Sequence, residues 1–467
     1  MRSFFKLSFF QKDNLFIISS SVLLLFFIVS CADKKKDYDK SKAVSAFALV
    51  DSLAIDKSLE KTAITIPKQQ QNNFWNGSIA LQNQNIENFG KNFSTTKNLF
   101  SSKREITLKN SDLFFSGIGA TDFDDFIFAP IIKDNKIFAL NAAGKLTAYD
   151  LLTKKRIWKT QIFTHHFLKN YRSAKIYYNK NNSGEKIFAT IAINKIAAIN
   201  AVDGKILWIK DLSSITNSTP ICDDELVFVT TNDNKIYALN ALNGEIEWVV
   251  SAILRNTAIL GAADPLLYKD KVIAAFSSGE IYAINKKTGE LIWSQDLNLN
   301  KANSSDFYLN DIDATPLIKD DTLYSIGNGG LMMAISLKDG NYFWRKEIAG
   351  IVDFWAAANF LYLINNDNKL LAIDQKTGGI KWISQLPNLK KDKKPETKII
   401  YNSVIMVGDK LLISRVDGEL IIASPFDGKI EKTFNIGRKI LHAPAVVNDK
   451  IYFHNMSRFV TEILEIE

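Results

Sequence analysis

Tryptophan recurs along this chain at a nearly constant interval, and that interval limits the possible folds more than any other feature. Six of the eight tryptophans, Trp158, Trp208, Trp248, Trp293, Trp344 and Trp382, stand 50, 40, 45, 51 and 38 residues apart. Four positions before each lies a turn residue: Lys154, Gly204, Gly244, Gly289, Gly340 and Gly378. Ten before each lies an alanine: Ala148, Ala198, Ala238, Ala283, Ala334 and Ala372. Between the two, at a fixed offset, sit Asp150, Asn200, Asn240, Asn285, Ser336 and Asp374. A seventh copy keeps Ser424 and Gly428 but has Ile422 for the alanine and Lys432 for the tryptophan. A period of 38 to 51 residues marks supersecondary units that cannot bury their apolar faces alone and must stack.

Each copy reads as two short strands around a tight turn. In Lys235-Ile236-Tyr237-Ala238-Leu239-Asn240 followed by Ala241 to Gly244 and Glu245 to Trp248, the glycine can take positive φ and the Asn can bond its own backbone. The alanine is small where sheets would pack closely, and the tryptophan is a large apolar wedge between neighbouring sheets. A second column fixes the unit: Pro130, Pro220, Pro265 and Pro316 each precede their turn by 24 residues, leaving room for a further strand pair. Pro444 belongs to the same column, and its turn would fall at 468, one past Glu467. An eighth unit would then lack its last strand, which the segment Phe74-Trp75-Asn76-Gly77 could supply. Roughly 395 residues over eight units give about 49 each. The expected fold is all-β: an eight-bladed propeller of four-stranded antiparallel blades, spanning residues 73–467, with an N-terminal strand closing the last blade. The chain is 46% apolar, enough for such a core.

The first thirty residues read as a signal peptide. Arg2, Lys6 and Lys12 precede the apolar run Leu15 to Val29, which is too short to span a membrane comfortably. The run ends in Ile28-Val29-Ser30-Cys31, which resembles a bacterial lipobox, so Cys31 is expected to carry the lipid and become the first mature residue. Ala32 stands where an aspartate would signal retention in the inner membrane, and the resemblance therefore implies the outer membrane, facing the periplasm. Residues 31–72 read as a lipidated tether, and Asn388 to Lys398 as an exposed lysine-rich loop. The net charge of +8 falls to about +6 without the leader (8 − 2) and is spread along the chain, unlike the concentrated basic face of a nucleic-acid binder. Two cysteines exclude zinc ribbons and disulfide scaffolds. The pair His165-His166 is read as a surface loop rather than a metal site, and Cys222 as a small buried apolar residue.

The repeat Ala-x-Asp/Asn-x-x-x-Gly-x-x-x-Trp resembles the PQQ-type, quinoprotein-like repeat rather than WD40 or kelch. Within that group the chain is most similar to the BamB family of outer-membrane β-barrel assembly lipoproteins. Three features carry this: a lipobox and tether before one propeller, the segment Asp311-Ile312-Asp313-Ala314-Thr315-Pro316, and Val352-Asp353-Phe354 leading into the sixth blade. The resemblance implies a non-enzymatic scaffold that holds the POTRA domains of BamA, with other components of the assembly complex and nascent outer-membrane proteins as further contacts. It places the contact on the loops Ser251 to Pro265 and Asn298 to Pro316. Onto the first, one alignment carries Ile259 and Leu260, and a shifted one Leu254 and Arg255. Onto the second it carries Asp311 and Asp313, with Tyr308 where the family has arginine; ordinary loop capping before Pro316 is the other reading of these aspartates.

Quinoprotein dehydrogenases share the fold but need calcium, a basic aspartate and commonly a vicinal cysteine pair. Besides Cys31 the chain has only Cys222, so no such pair can form, and no cofactor is expected. An envelope sensor or substrate-binding lipoprotein is the remaining alternative.

Overall fold

The repeat columns become blades because each residue type solves one packing problem. A computed structural model describes residues 53–90, 104–106, 129–140, 144–153, 155–163, 174–191, 194–216, 218–253, 263–297, 312–390, 397–436, 439–440, 442–456 and 461–466. Eight antiparallel sheets follow one another along the chain as eight blades. Blade 3 is representative: Ile221–Cys222 on the inside, then Leu226–Thr231 and Lys235–Asn240, and Ile246–Ser251 outermost. The inner strands of blades 1, 2, 4, 5, 6, 7 and 8 are Ile131–Lys133, Ala174–Asn181, Leu266–Tyr268, Leu317–Lys319, Trp355–Ala357, Tyr401–Val407 and Ala445–Val447. Because strands alternate in direction, the first and third turns of every blade lie at one end of the propeller, here the turn end. The second turns and the connections between blades lie at the other, the loop end.

Across the two outer strands the register pairs each alanine with its tryptophan, from Ala148 with Trp158 to Ala372 with Trp382. The weaker seventh copy pairs Ile422 with Lys432 in the same way. The alanine is small for a different reason than sheet spacing. In five blades an aromatic on the second strand, Phe138, Phe188, Phe228, Tyr324 or Tyr362, lies on its other side. The methyl lets the two rings meet over it, with centroids 5.8 to 6.1 Å apart. The tryptophan then reaches into the next blade. Its indole N–H donates to a carbonyl of that blade's outer turn, from Trp158 to Ala201 at 3.1 Å through Trp382 to Pro425 at 3.1 Å. Its ring lies on that turn's glycine: Gly204 meets Trp158, Gly244 meets Trp208, Gly289 meets Trp248, Gly340 meets Trp293, Gly378 meets Trp344 and Gly428 meets Trp382. Each glycine is therefore needed both for its φ of 69° to 78° and for the space over the preceding ring. Lys154, which lies outside the described residues, opens the one turn without glycine, and the blade before it ends in Arg104–Ile106, which has no tryptophan to accommodate.

That last strand corrects one expectation. The ring is closed by an N-terminal strand, but by Arg104–Ile106 pairing with Thr461–Ile466, not by residues 74–77. Phe74–Trp75 instead pairs with the inner strand of blade 1, and residues 72–90 pass through the central channel at the turn end. Two asparagines there behave as pieces of backbone. Asn76 exchanges bonds with Tyr178 of blade 2, and Asn83 with Ala356 of blade 6, each donating to the carbonyl and accepting from the N–H of one residue. Asn72 joins blade 8 through Val446 and Asn448. Glu87 takes Ala358 N–H of blade 6 and pairs with Lys319 of blade 5. Phe89 bridges Met406 and Gly408 of blade 7, and Leu81 packs on the apolar clusters of blades 3 to 5. This plug thus bonds or pairs with blades 1, 2, 5, 6, 7 and 8 and packs on the apolar clusters between the others.

Residues 53–71 are a strap laid on the propeller, so the expected tether of 31–72 is shortened: the chain is part of the propeller unit from Leu53 on. Asp56 N–H bonds Ile380 O at 2.8 Å, and Lys381 Nζ donates to the carbonyls of Leu59 and Glu60. The strap leaves Ile380 only 6% exposed, where its counterparts Ile206, Ile246, Leu291 and Tyr342 are 39 to 51% exposed. Blade 6 is marked for this contact by Gly379, where a Cβ would come within 2.6 Å of Asp56 Oδ2 and 2.9 Å of Leu59 Cδ1. The other six outer turns carry Lys155, Lys205, Glu245, Glu290, Asn341 or Lys429 at that position.

Candidate partner-binding face

The loops singled out by sequence lie at the loop end, opposite the plug, between blades 3 and 4 and between blades 4 and 5. Leu254, Arg255, Ile259, Leu260 and Asp311 lie outside the described residues, as do Cys31 and the pair His165-His166. Asp313 is described: it is half-buried between the fully buried Ile312 and Ala314, in an irregular stretch with a bend at Ala314 that leads into Pro316. The insertion Asn388 to Lys398 begins and ends as a small hairpin, Leu389–Lys390 against Thr397–Lys398, at the same end.

What fixes these loops is a pair of carboxylates that the sequence did not assign to the site. Thr315 precedes a proline, which has no N–H of its own and keeps Thr315 extended. Its buried N–H donates across the blade boundary to Asp353 Oδ1 at 2.8 Å. The same device recurs two blades earlier, where Thr219, before Pro220, donates its N–H to buried Asp264 Oδ1 at 2.7 Å. Capping before Pro316 thus exists, but Asp353 performs it. The signal was present as Thr-Pro in blades 3 and 5 followed by Asp at the start of blades 4 and 6.

The charged neighbours of Asp353 at this mouth of the channel are Asp264 and Lys175. Burial, and secondarily Asp264, push the Asp353 carboxyl up to about 6, against the opposing pull of the Thr315 N–H and Lys175. A folded pKa above the unfolded 3.8 means that the folded state binds the proton more tightly. This group therefore adds stability as pH falls through about 6, saturating below 3.8. Going from pH 7 to pH 5 should gain on the order of 1.4 kcal/mol from Asp353, an increment that Asp353→Asn lacks. Urea unfolding of both proteins at the two pH values checks this, and parallel pH dependences would contradict it.

Cys222 is buried, its thiol donating to Asp223 O at 2.8 Å and accepting from Asn179 Nδ2 at 3.3 Å. Burial pushes this thiol well above its ordinary range, as suits a packing residue. Among the described residues no three His, Cys, Asp or Glu side chains converge as metal ligands. No helix among them is long and apolar enough to cross a membrane.

Residues 181–384 match a family described as outer membrane protein assembly factor BamB. The outer membrane protein assembly factor BamB of Yersinia pestis is 26% identical over 337 residues, covering 72% of this chain and 83% of the relative. The chain is similar to the BamB family. Solved structures agree on the fold. BamB from Moraxella catarrhalis superposes with a TM-score of 0.58 at 20% identity, covering 71% of this chain and 94% of that one. A europium-containing methanol dehydrogenase superposes with a TM-score of 0.60 at 13% identity, covering 82% and 90%. At such identities the likeness is one of fold alone, shared by BamB proteins and dehydrogenases. The BamB relatives separate from the dehydrogenases by sequence.

Proposed function

We propose that this protein is a non-enzymatic scaffold for the assembly of outer-membrane β-barrel proteins. The observation that carries the reading is the match to BamB assembly factors over most of the propeller, at 26% identity with a single relative covering 83% of that protein's length. In this reading residues 1–30 are removed, Cys31 is diacylated, and residues 31–52 tether the propeller to the periplasmic face of the outer membrane. The loop end then meets the POTRA domains of BamA through Leu254, Arg255, Ile259 or Leu260 on one loop and Asp311 and Asp313 on the other, an apolar anchor ringed by charge. Other members of the assembly complex and emerging outer-membrane proteins would be brought together there. No bond is made or broken: the scaffold acts by holding partners in one orientation.

The dehydrogenase-like fold is a second reading that one observation weakens: residues 72–90 fill the turn end of the channel with the chain's own side chains. An envelope sensor with the same fold would leave outer-membrane protein levels unchanged on deletion. The deciding experiment is a pull-down in mild detergent with the tagged mature chain, wild type against Asp311→Ala plus Asp313→Ala. BamA is expected with the wild type and lost with the folded double variant. Recovery of no barrel-assembly component with the wild type would end this reading and leave the fold untouched.

A further inference from the structure

Two sequence motifs that stand apart in the chain, Asp313-Ala314-Thr315-Pro316 and Val352-Asp353-Phe354, meet in the fold, where Thr315 N–H donates to Asp353 and Ala314 and Phe354 share one apolar cluster. Thr315 is 6% exposed and sits two positions before the inner strand of blade 5, with Pro316 between. Its N–H is the final donor of the loop, because Pro316 has none. Buried N–H groups without acceptors are costly, so the loop can enter the blade in this geometry only if something accepts here. Asp353 does so from the next blade. Asp353 is itself held in place from behind: Trp355 donates its indole N–H to Glu87 O at 2.7 Å, and Ala356 exchanges two bonds with Asn83. A continuous path therefore runs from the plug at the turn end, through the inner strand of blade 6, to Asp353, Thr315 and Asp313 at the loop end. Two residues before Thr315, Asp313 stands between the buried Ile312 and Ala314. Fixing Thr315 restrains the backbone that leads through the bend at Ala314 to Asp313.

We infer that Asp353 is a positioning residue for partner binding: it clamps the base of the blade 4 to blade 5 loop in the conformation that presents Asp313. Asp264 repeats the clamp at Thr219, and there it fastens the end of the preceding loop itself, immediately before Pro265. Both loops assigned to partner binding are thus sewn to a neighbouring blade at the end where they enter the fold. The role in binding rests on the reading given under Proposed function; the clamp does not.

The test compares wild type, Asp353→Ala and Asp353→Asn in the full mature chain, with two readouts. Asparagine keeps an oxygen acceptor at the same reach, and alanine leaves the Thr315 N–H without one. Amide hydrogen exchange over residues 312–316 should speed up about tenfold or more in Asp353→Ala and return to the wild-type rate in Asp353→Asn, while the outer strand Ile206–Asp211 is unchanged. Affinity for the isolated POTRA domains of BamA should fall about tenfold in the alanine variant and recover in the asparagine variant. If Asp353→Ala does not fold, Asp353→Ser, too short to reach Thr315, takes its place. Unchanged exchange at 312–316, or no recovery with asparagine, overturns the clamp. A loosened loop with undiminished affinity overturns the positioning role. Absence of binding by the wild type counts against BamA as the partner, and the exchange data still decide the clamp.

Discussion

Gly244→Ala is expected to destabilise the propeller by roughly 3 kcal/mol, a large effect for one methyl group. Two costs combine. The backbone at Gly244 has φ +74°, where an L-residue is strained by roughly 1–2 kcal/mol. The new Cβ would also lie 2.6 Å from Trp208 Cε3, inside the ring that wedges blade 2 against blade 3. Moving that ring breaks its bond to Ala241 O and its contact with Phe188, which adds an overpacking cost of about 1–3 kcal/mol. Gly184 provides the control. It too has positive φ, at +109°, but a Cβ there meets nothing within 4 Å. Urea unfolding should therefore show Gly184→Ala paying the backbone cost alone. Equal losses at the two positions would mean that the tryptophan wedge does not couple the blades.

Phe89→Ala should cost about 3–5 kcal/mol, as expected for removing a fully buried aromatic. Phe89 is 0% exposed, lies between Trp75 and Trp355 with centroids 6.2 and 5.4 Å away, and sits in the plug where its backbone bridges Met406 and Gly408. The cavity would open on the axis, where blades 6, 7 and 8 share one apolar cluster. Loss of the plug from the channel should appear as faster proteolysis N-terminal to the first blade, along with the fall in unfolding free energy. Phe426→Ala, at a side chain 53% exposed on an outer turn, should change stability by less than about 0.5 kcal/mol. A Phe89 loss as small as that would show the plug to be an ornament of the fold rather than part of it.

The blades were readable because their residues do the same job many times over. Alanine, turn and tryptophan keep their offsets, and a fourth column accompanies them. Phe138, Phe188, Phe228, Tyr324 and Tyr362 each stand ten residues before their alanine, with Ile273 and Leu412 in the other two copies. The plug was not readable for the opposite reason. Asn72, Asn76 and Asn83 occur once each, and asparagine in a polar N-terminal stretch suggests a linker. Here those amides are substitutes for strand backbone, which only the assembled channel reveals. Phe74–Trp75 is a strand, as its residues suggest, but it pairs with blade 1, and the closing strand Arg104–Ile106 carries none of the repeat's residues. The residues proposed for partner binding rest on resemblance and not on any pattern in the chain. Their supports, Asp264 and Asp353, depend on contacts between blades that no single repeat contains.

The strap decides where the propeller bears a load. Any pull on the chain N-terminal to Leu53 arrives first at Ile380 and Lys381 on the rim of blade 6, and then at the plug, whose bonds spread it over the inner strands. The closing strand Arg104–Ile106 comes later in the chain, downstream of both attachments. Tension applied at the N-terminus is therefore shed before it reaches the seam where the ring is joined, and the molecule can be hauled by its leading end without being unzipped.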